Sequence, residues 1–277
     1  MEQALYGPEG FYTRNRPARH FRTSAHSPLF AQAIAALVEK VDRALGHPTQ
    51  FDIVDIGAGE GELLAHLSLP ERFRLVPVEL GDALPQSVTG LILATEWLDN
   101  LPLDLAHDGH YLDDGAPLST LDNEWIARWW PVADGIVEIG RSRDEAWAGV
   151  VAKLSAGVAL AVDYGHLLGT RPSLPTLTGF RDGREVEPLL DGSTDVTCHV
   201  AIDSVAAAPG LPARVMSQRE ALRWLGVTGA RPPLELAHRD PAEYVRALAR
   251  ASEAGTLTDP NGLGGHWWVL HTLGCAL

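Results

Sequence analysis

A glycine-rich turn between two structured runs constrains the fold of this chain more than any other feature. A mainly apolar run, Phe51–Ile56, leads into the turn 55–61, and residues 62–67 then have the composition of a helix. A strand, a glycine turn and a helix in this order are typical of the edge of an α/β sheet at which nucleotide-like cofactors bind. Gly57 and Gly59 can adopt backbone angles closed to other residues, so a ligand can approach the main chain closely there.

The turn lacks the groups that bind phosphate. A dinucleotide fingerprint requires glycine at the position of Glu62, and a Walker loop requires a Gly-Lys-Ser/Thr sequence that the turn does not contain. An acidic turn without a basic residue suits a cofactor that carries a positive centre and no phosphate. We therefore expect S-adenosylmethionine as the cofactor. The alternative is an ordinary strand-to-helix turn whose glycines serve no ligand.

Composition limits the classes of protein to which the chain can belong. Its 277 residues, 45% of them hydrophobic, can bury one large core or a core with a smaller lobe. No run approaches the roughly 18 apolar residues of a membrane span, and the first residues lack the pattern of a secretory signal, so we expect a cytoplasmic protein. Cys198 and Cys275 form no C-x-x-C pair, which favours neither a disulfide framework nor a zinc site.

The net charge of −14 bears on the partner. It argues against a nucleic-acid partner, because proteins that bind nucleic acids usually carry basic patches that contact the phosphates. It fits a basic peptide or protein substrate, although acidity also simply favours solubility. The histidines show no convincing metal-ligand spacing, so no metal is expected. The sequence gives no indication of the oligomeric state.

Short, mainly apolar runs with a carboxylate at or near the end predict parallel strands that are covered on both faces. These runs are residues 51–56, 74–79, 91–96 and 157–164. Helices are predicted over residues 28–45, 138–154, 218–225 and 241–251, and further strands over residues 176–181, 195–202 and 267–273. The pattern predicts an α/β fold with a mostly parallel sheet.

The chain divides into three regions. Residues 1–50 are predicted to form an N-terminal gate and a helix, since the first 24 residues are polar with interspersed aromatic residues. Residues 51–170 form the cofactor-binding α/β core, with an irregular or hairpin insertion at 102–137. Residues 171–277 supply strands and helices that complete the sheet and cover the substrate site.

Carboxylates at the strand ends indicate where a ligand binds. Asp55, Glu79, Glu96 and Asp163 end the four predicted strands, and the carboxyl ends of parallel strands meet at one edge of a sheet. Glu79 is placed to accept hydrogen bonds from both ribose hydroxyls, with a solvated strand end as the alternative. Asp55 is expected near the sulfonium or as an orienting group for the amides of the turn.

The block 95–102 supplies the second carboxylate pair. Glu96 and Asp99 could hold a cationic substrate nitrogen and take its proton as the methyl group arrives, and the alternative for Asp99 is a helix N-cap. A guanidinium, with a pKa above about 12, needs paired carboxylates to fix its planar fork. His199 could orient the substrate or shuttle a proton, or could be structural. The tryptophans at 125–130 could form an aromatic wall for a cation, with packing as the alternative.

Taken together, these segments resemble the MidA family of S-adenosylmethionine-dependent methyltransferases, which includes mitochondrial complex I assembly-factor methyltransferases. Residues 96–102 stand against the family's Asn-Glu-Phe-Phe-Asp-Ala-Leu-Pro block, and residues 55–61 stand against its Glu-x-Gly-x-Gly-x-Gly block. The other matching segments are 21–24, 27–30, 163–165, 195–200 and 265–270.

The resemblance implies a Rossmann-like class I methyltransferase fold, with a twisted sheet and helices on both faces. It implies N-methylation of a protein arginine, with Thr23 and Ser24 in a lid over the site. The expected cofactor-binding residues are Thr23, Ser24, Asp55, Gly57, Ala58, Gly59, Glu79 and Glu96. The expected catalytic residues are Glu96, Asp99 and His199.

The chain departs from the family pattern in three places. Thr95 replaces an asparagine, Ala25 replaces a proline, and the segment between Glu79 and Leu91 is shorter than usual. The family places there a helix and a strand that help to bind adenine, a task that residues 81–82 could take over. Two other functions therefore stay open. One is methylation of a small molecule, and the other is a non-catalytic assembly or scaffold protein that retains the fold.

Overall fold

The structure is a computed structural model that describes residues 1–14, 23–131 and 135–277. Its helices are α1 Glu2–Tyr6, α2 Phe11–Arg14, α3 Pro28–Ala44, α4 Glu62–His66, α5 Thr120–Trp129, α6 Arg141–Val151, α7 Ile202–Ala207, α8 Gln218–Trp224, α9 Leu234–Arg239 and α10 Pro241–Leu257. Short 3₁₀ turns cover Ser24–His26, Leu98–Asn100, Leu168–Thr170 and Leu263–Gly265.

The strands lie between residues 51 and 273. They are β1 Phe51–Ile56, β2 Phe73–Val78, β3 Val88–Thr95, β4 Asp104–His107, β5 His110–Tyr111, β6 Val137–Ile139, β7 Leu154–Asp163, β8 Gly165–His166, β9 Thr178–Arg181, β10 Arg184–Val186, β11 Asp195–Thr197, β12 Val200–Ala201, β13 Ala213–Ser217 and β14 Trp267–Leu273.

A six-stranded sheet in the order β13-β14-β7-β3-β1-β2 forms the centre of the protein. Strands β2, β1, β3 and β7 pair in parallel, whereas β14 is antiparallel to both of its neighbours. The carboxyl ends of β1, β2, β3 and β7 therefore lie along one edge of the sheet. This edge is the ligand-binding edge of open α/β sheets.

Apolar side chains alternate along the strands and fill a core layer on each face of the sheet. Helices α3, α8 and α10 cover one face, where Ile53 and Leu93 are buried. Helices α6 and α7 cover the other face, where Val54 and Trp147 are buried. Strands that are covered in this way read as nearly continuous apolar runs, which explains why the sequence predicted them.

Helix α3 illustrates why the local sequence folds as it does. The Ser27 hydroxyl caps its first turn by accepting a hydrogen bond from the Phe30 amide at 3.2 Å, and Pro28 occupies the first helical position. Its apolar stripe, which includes Ile34 and Leu37, lies buried against the sheet. The helix ends at Ala44, one residue before the predicted end.

The structure corrects several predicted elements. The helix predicted over residues 138–154 begins only at Arg141, because Val137–Ile139 is a strand that pairs with β4. The predicted strand 195–202 is two short strands followed by α7. The insertion 102–137 contains helix α5 as well as a β-hairpin. Helices α1, α2, α7 and α9 and strand β13 were not predicted.

Strand β2 is one of the two edge strands of the central sheet, and β13 is the other. Residues 79–87 form no further strand, in keeping with the shortened segment noted in the sequence. Pro77 lies in β2 and is exposed, as a proline on a sheet edge usually is. Within the three described ranges, no helix is both long and apolar enough to cross a membrane.

Candidate functional site

The glycine turn after β1 has the backbone geometry that its sequence predicted. Gly57 and Gly59 have φ angles of 68° and 62°, in the left-handed region that favours glycine. The Gly57 amide donates to the Val78 carbonyl at 2.9 Å, and the amide of the buried Ala58 donates to the same oxygen at 3.5 Å. A Cβ atom on Gly57 would lie 3.1 Å from Cδ1 of Trp97. The turn is therefore held against the end of β2 and has little room for a side chain.

Glu79 joins this turn to the end of β2. Its carboxylate accepts a hydrogen bond from the Gly59 amide, and its own amide donates to Oδ2 of Asp82 at 2.9 Å. Glu79 is exposed overall, but partial burial of its carboxyl group raises its pKa, against the effect of the Gly59 amide. An exposed carboxylate at this strand end is suited to accept hydrogen bonds from the hydroxyls of a ribose.

Asp55 is buried at the carboxyl end of β1. Burial, together with the nearby charges of Glu79 and Glu62, raises its pKa to about 7. A cation placed next to this carboxyl group would favour its ionised form.

Glu96 lies at the centre of the predicted site. Its amide donates to the Val162 carbonyl at 2.7 Å, and its Oε1 accepts from the Ser24 amide at 3.0 Å. Nδ1 of His266 lies 3.9 Å from the same oxygen. The φ angle of 50° is unusual for a residue with a side chain and is typical of strained positions at functional sites. Burial raises the pKa of Glu96 to about 8, against the effect of the Ser24 amide.

The structure brings Ser24 directly to the site and Thr23 next to it. Ser24 is fully buried, and its hydroxyl accepts a hydrogen bond from Nε2 of Gln218 at 3.1 Å. Oγ1 of Thr23 lies 3.0 Å from Nδ1 of His26. The predicted gate residues His20, Phe21 and Arg22 lie outside the described residues.

Asp163 caps the 3₁₀ turn that carries Asp99. Its Oδ2 accepts from the amides of Leu98 and Asp99 at 2.9 and 3.3 Å, and its Oδ1 accepts from the Tyr164 amide at 3.0 Å. The capping role that the sequence left open for Asp99 is thus performed by Asp163. Burial raises the pKa of Asp163 well above its usual range, and the charge of Asp99 raises it further.

Asp99 points its carboxylate towards Tyr164, whose hydroxyl donates to Oδ2. Asp99 is buried, with only 3% of its surface exposed. Burial raises the pKa of Asp99, while the Tyr164 hydroxyl and the charge of Arg143 act in the opposite direction. The Tyr164 hydroxyl therefore orients the Asp99 carboxylate, and Tyr164 directly follows Asp163 in the chain.

Arg143 is the largest feature of the site that sequence reasoning missed. Its buried guanidinium donates to the carbonyl oxygens of Asp99, Leu101, Cys198 and His199 at 2.5, 3.0, 2.9 and 3.0 Å. These bonds fasten the turn after β3 to the segment between β11 and β12. The only sequence feature that could have indicated this role was the position of an arginine on the face of α6 that packs against the core.

His199 and His266 flank the ring of Tyr164. The ring centroids lie 5.3 Å apart for His199 and 5.5 Å apart for His266. Burial lowers the pKa of His266 to about 4, so this ring is neutral. His199 is exposed overall, but the packing around its ring lowers its pKa as well. His266 was not singled out from the sequence, whereas His199 was.

The tryptophans of the insertion pack in a separate small core. Trp125 and Trp130 are buried there with Val137 and Ile139. The Trp125 indole donates to Oδ2 of Asp144 at 2.7 Å. This arrangement corresponds to the packing alternative rather than to an aromatic wall for these two residues. Among the described residues, no group of three histidine, cysteine or acidic side chains is placed to hold a metal ion.

Solved structures share this fold over the full length of the chain. A COG1565 superfamily protein from Burkholderia thailandensis bound to S-adenosyl-homocysteine has a TM-score of 0.77 and 22% identity, covering 100% of this chain and 87% of its own. A native crystal structure of a COG1565 superfamily protein from the same organism gives the same TM-score and identity and is covered over 86% of its length. No protein-family model matches the chain, and the comparison with curated proteins gives no match.

This agreement confirms the fold class predicted from the sequence. The chain has a Rossmann-like α/β fold of the class I methyltransferase type, with a mostly parallel sheet and helices on both faces.

Proposed function

We propose that this chain is an S-adenosylmethionine-dependent methyltransferase that N-methylates an arginine of a protein. The observation that carries the proposal is the meeting of the glycine turn with Glu79, Glu96 and Asp163 at one edge of the sheet. The shared fold with a protein bound to S-adenosyl-homocysteine supports the choice of cofactor. The MidA resemblance supports the choice of acceptor.

The described residues fit this cofactor. Gly57 and Gly59 carry no side chain that would cover the main chain of the turn, and the exposed Glu79 carboxylate can accept from the ribose hydroxyls. Asp55, whose buried carboxyl group has a raised pKa, would lie near the positive sulfur. S-adenosylmethionine would supply a methyl group activated on a cationic sulfur. The turn at Gly81, stabilised by a 2.9 Å bond between the Asp82 amide and the Glu79 carbonyl, is the proposed adenine contact.

Glu96 is the proposed proton acceptor. In the free protein its pKa is about 8, so at neutral pH it is largely protonated. A cation in the cleft would stabilise the ionised form and so prepare the carboxylate to take a proton. Ser24 would hold one carboxylate oxygen in place through its amide, at 3.0 Å.

Asp99 and His199 have supporting roles in this proposal. Asp99, oriented by the Tyr164 hydroxyl, would hold the acceptor nitrogens so that one of them faces the methyl group. His199, with its lowered pKa, would be a neutral ring able to orient the substrate or pass on a proton. Thr23 and Ser24 would belong to a lid over cofactor and acceptor.

The charge of the site supports a cationic acceptor. Glu96, Asp99 and Asp163 are buried or nearly so, and burial raises the pKa of all three. Arg143 lies beside them, but its guanidinium hydrogen bonds go to four carbonyl oxygens. Buried carboxylates are stabilised by a cation that binds among them, and a guanidinium would supply one.

We also propose that the protein acts in the cytoplasm and that three regions of the chain have different roles. Residues 1–50 would act as gate and supporting helix, residues 51–170 would hold the cofactor, and residues 171–277 would complete the sheet and cover the acceptor.

Calorimetry and labelling test the proposal together. We expect S-adenosyl-homocysteine to bind the purified protein, and a labelled methyl group to appear on an arginine of a cellular protein, identified by mass spectrometry. Label in a small-molecule fraction would favour the small-molecule enzyme. Cofactor binding without any transfer of label would favour the scaffold. Absence of binding to both S-adenosylmethionine and S-adenosyl-homocysteine would overturn the proposed function.

A further inference from the structure

Asp195 is a second buried carboxylate beside Asp99. It begins β11 and is fully buried. Nδ2 of Asn100 donates to its Oδ1 at 3.2 Å, and Asn100 belongs to the same turn as Asp99. The amide of Cys198, just after β11, donates to the Asp99 carbonyl at 3.1 Å. These contacts hold the turn that carries Asp99 against the strand that carries Asp195, and the charge of Asp99 acts on the Asp195 carboxyl group.

One oxygen of each carboxylate has no hydrogen-bond partner among the described residues. Oδ2 of Asp99 and Oδ1 of Asp195 accept hydrogen bonds, but Oδ1 of Asp99 and Oδ2 of Asp195 are buried without a partner among the described residues. Burial and the charge of Asp99 together raise the pKa of Asp195 to about 7, against the effect of a hydrogen bond with the Tyr12 hydroxyl. Two unpartnered buried oxygens on neighbouring acids are unfavourable unless a donor group binds to them.

Two tyrosines from the N-terminal helices lie next to this pair. The rings of Tyr6 and Tyr12 stack with their centroids 5.5 Å apart and their planes 20° apart. The Tyr6 hydroxyl donates to the Asn100 carbonyl at 3.2 Å. Burial raises the pKa of both hydroxyl groups, and the charges of Asp99 and Asp195 raise it further, so both tyrosines stay neutral. Aromatic faces beside carboxylates are suited to a planar cation, which can stack and form hydrogen bonds at the same time.

We infer that Asp195 and Asp99, with Tyr6 and Tyr12, form the subsite that binds the planar cationic end of the acceptor, a guanidinium group. In this subsite Asp195 is a specificity-determining residue that favours the binding of a positively charged group, while Glu96 takes the proton from the acceptor. The inference rests on the proposed function, because it names residues that would hold the acceptor of that reaction.

The test uses two small probes of nearly the same shape. N-acetyl-arginine amide carries the guanidinium, whereas N-acetyl-citrulline amide is its neutral counterpart. Binding is followed by NMR titration of the full chain saturated with S-adenosyl-homocysteine. We expect the arginine probe to bind the wild-type protein at least tenfold more tightly than the citrulline probe. We expect Asp195→Asn to abolish that preference while leaving the affinity for S-adenosyl-homocysteine unchanged.

Asp144→Asn is the matched control. Asp144 also has one buried oxygen without a partner among the described residues, and its other oxygen accepts from Trp125 and Ser204. Its charged neighbours are Asp203 and Arg171 rather than Asp99. This variant should bind both probes and S-adenosyl-homocysteine as the wild type does.

The outcomes separate this inference from the proposed function. A wild-type protein that binds S-adenosyl-homocysteine but shows no preference for the arginine probe overturns the inference. Retention of the preference in Asp195→Asn overturns it as well. A wild-type protein that does not bind S-adenosyl-homocysteine contradicts the proposed function instead. If Asp195→Asn does not fold, the variants Tyr12→Leu and Tyr12→Phe test the inference instead. Only the leucine variant should bind the arginine probe at least tenfold more weakly than the wild type does. Equal binding of this probe by the two variants overturns the inference.

Discussion

The hydroxyl of Tyr164 donates to Oδ2 of Asp99, and this bond links the end of β7 to the turn that follows β3. Asp163, the preceding residue, holds the same turn through its own carboxylate. Two consecutive residues of one strand end therefore fix both the main chain and the side chain of Asp99. A carboxylate held in this way can act on a substrate without first having to be ordered.

Tyr164→Phe should weaken this orientation and change the pH dependence of the reaction. The hydroxyl lowers the pKa of Asp99, so its loss should raise that pKa and move the acidic limb of the kcat/KM profile to higher pH. The free energy of unfolding should fall by about 1 kcal/mol, as for a typical lost hydrogen bond. Measurements of the pH profile and of urea unfolding would check both effects.

Tyr111→Phe is the control for that variant. The Tyr111 hydroxyl donates to Oδ2 of the buried Asp122 at 2.5 Å, in the lobe formed by β4, β5, β6 and α5. The chemical change is the same, but the lobe lies outside the proposed site. Loss of the Tyr111 hydroxyl should lower the stability and leave the pH profile unchanged. An equal shift of the pH profile in both variants would contradict the role given to Tyr164.

Glu96→Gln should leave cofactor affinity nearly unchanged and lower kcat by about 100-fold or more, the usual contribution of a general base. Calorimetry with S-adenosyl-homocysteine and a single-turnover assay would separate the two quantities. A loss of cofactor binding would instead place Glu96 among the groups that hold the cofactor.

The pH dependence of stability gives a second measure of Glu96. Folding raises its pKa from 4.5 to about 8, so between these values the folded protein binds more protons than the unfolded chain. Its contribution to the free energy of unfolding is therefore fully present below pH 4.5 and is lost as the pH rises through about 8. Thermal unfolding of the unliganded protein should show this decline, and Glu96→Gln, which cannot ionise, should show less of it.

The sequence predicted those parts of the fold that depend on local pattern. The buried strand Phe51–Ile56 was predicted with its observed limits, because it is a mainly apolar run and a glycine turn ends it. Short helices such as α1 and α2 were missed, because helices of one turn depend on tertiary contacts rather than on propensity. The strand Val137–Ile139 was mistaken for the start of a helix, since its three residues are fixed by pairing with β4.

The local sequence pattern indicated site residues mainly where carboxylates end the predicted strands, whereas Thr23 and Ser24 were proposed from the family resemblance. Glu96 and Asp163 could be placed from their positions at strand ends. Arg143, His266 and Asp195 could not, because each acts through contacts with residues far away in the sequence. No local pattern distinguishes a buried arginine that binds four carbonyl oxygens from an exposed one on the same kind of helix.

Arg143→Lys should destabilise the protein and disturb the site at the same time. An ammonium group cannot reach all four carbonyl oxygens that the planar guanidinium binds, and each buried carbonyl left unpaired costs about 1–3 kcal/mol. Arg246→Lys is a suitable control, because Arg246 forms an exposed pair with Glu243 and such pairs contribute about 1 kcal/mol or less. Urea unfolding would compare the two, and similar losses would contradict the role of Arg143.

Gly57→Ala tests the glycine turn after β1. Alanine at this position must keep a φ angle of 68° and bring its Cβ within 3.1 Å of Trp97, at the place proposed for the cofactor. Gly46→Ala is its matched control, since Gly46 has a φ angle of 73°, lies beyond the end of α3 and has open space where a methyl group would be added. Both variants should lose about 1 kcal/mol of stability through backbone strain. Only Gly57→Ala should weaken S-adenosyl-homocysteine binding, by tenfold or more in calorimetry, because only there does the added methyl group push against a side chain, Trp97, next to the proposed cofactor-binding turn. Wild-type affinity in Gly57→Ala would mean that the cofactor does not approach this turn.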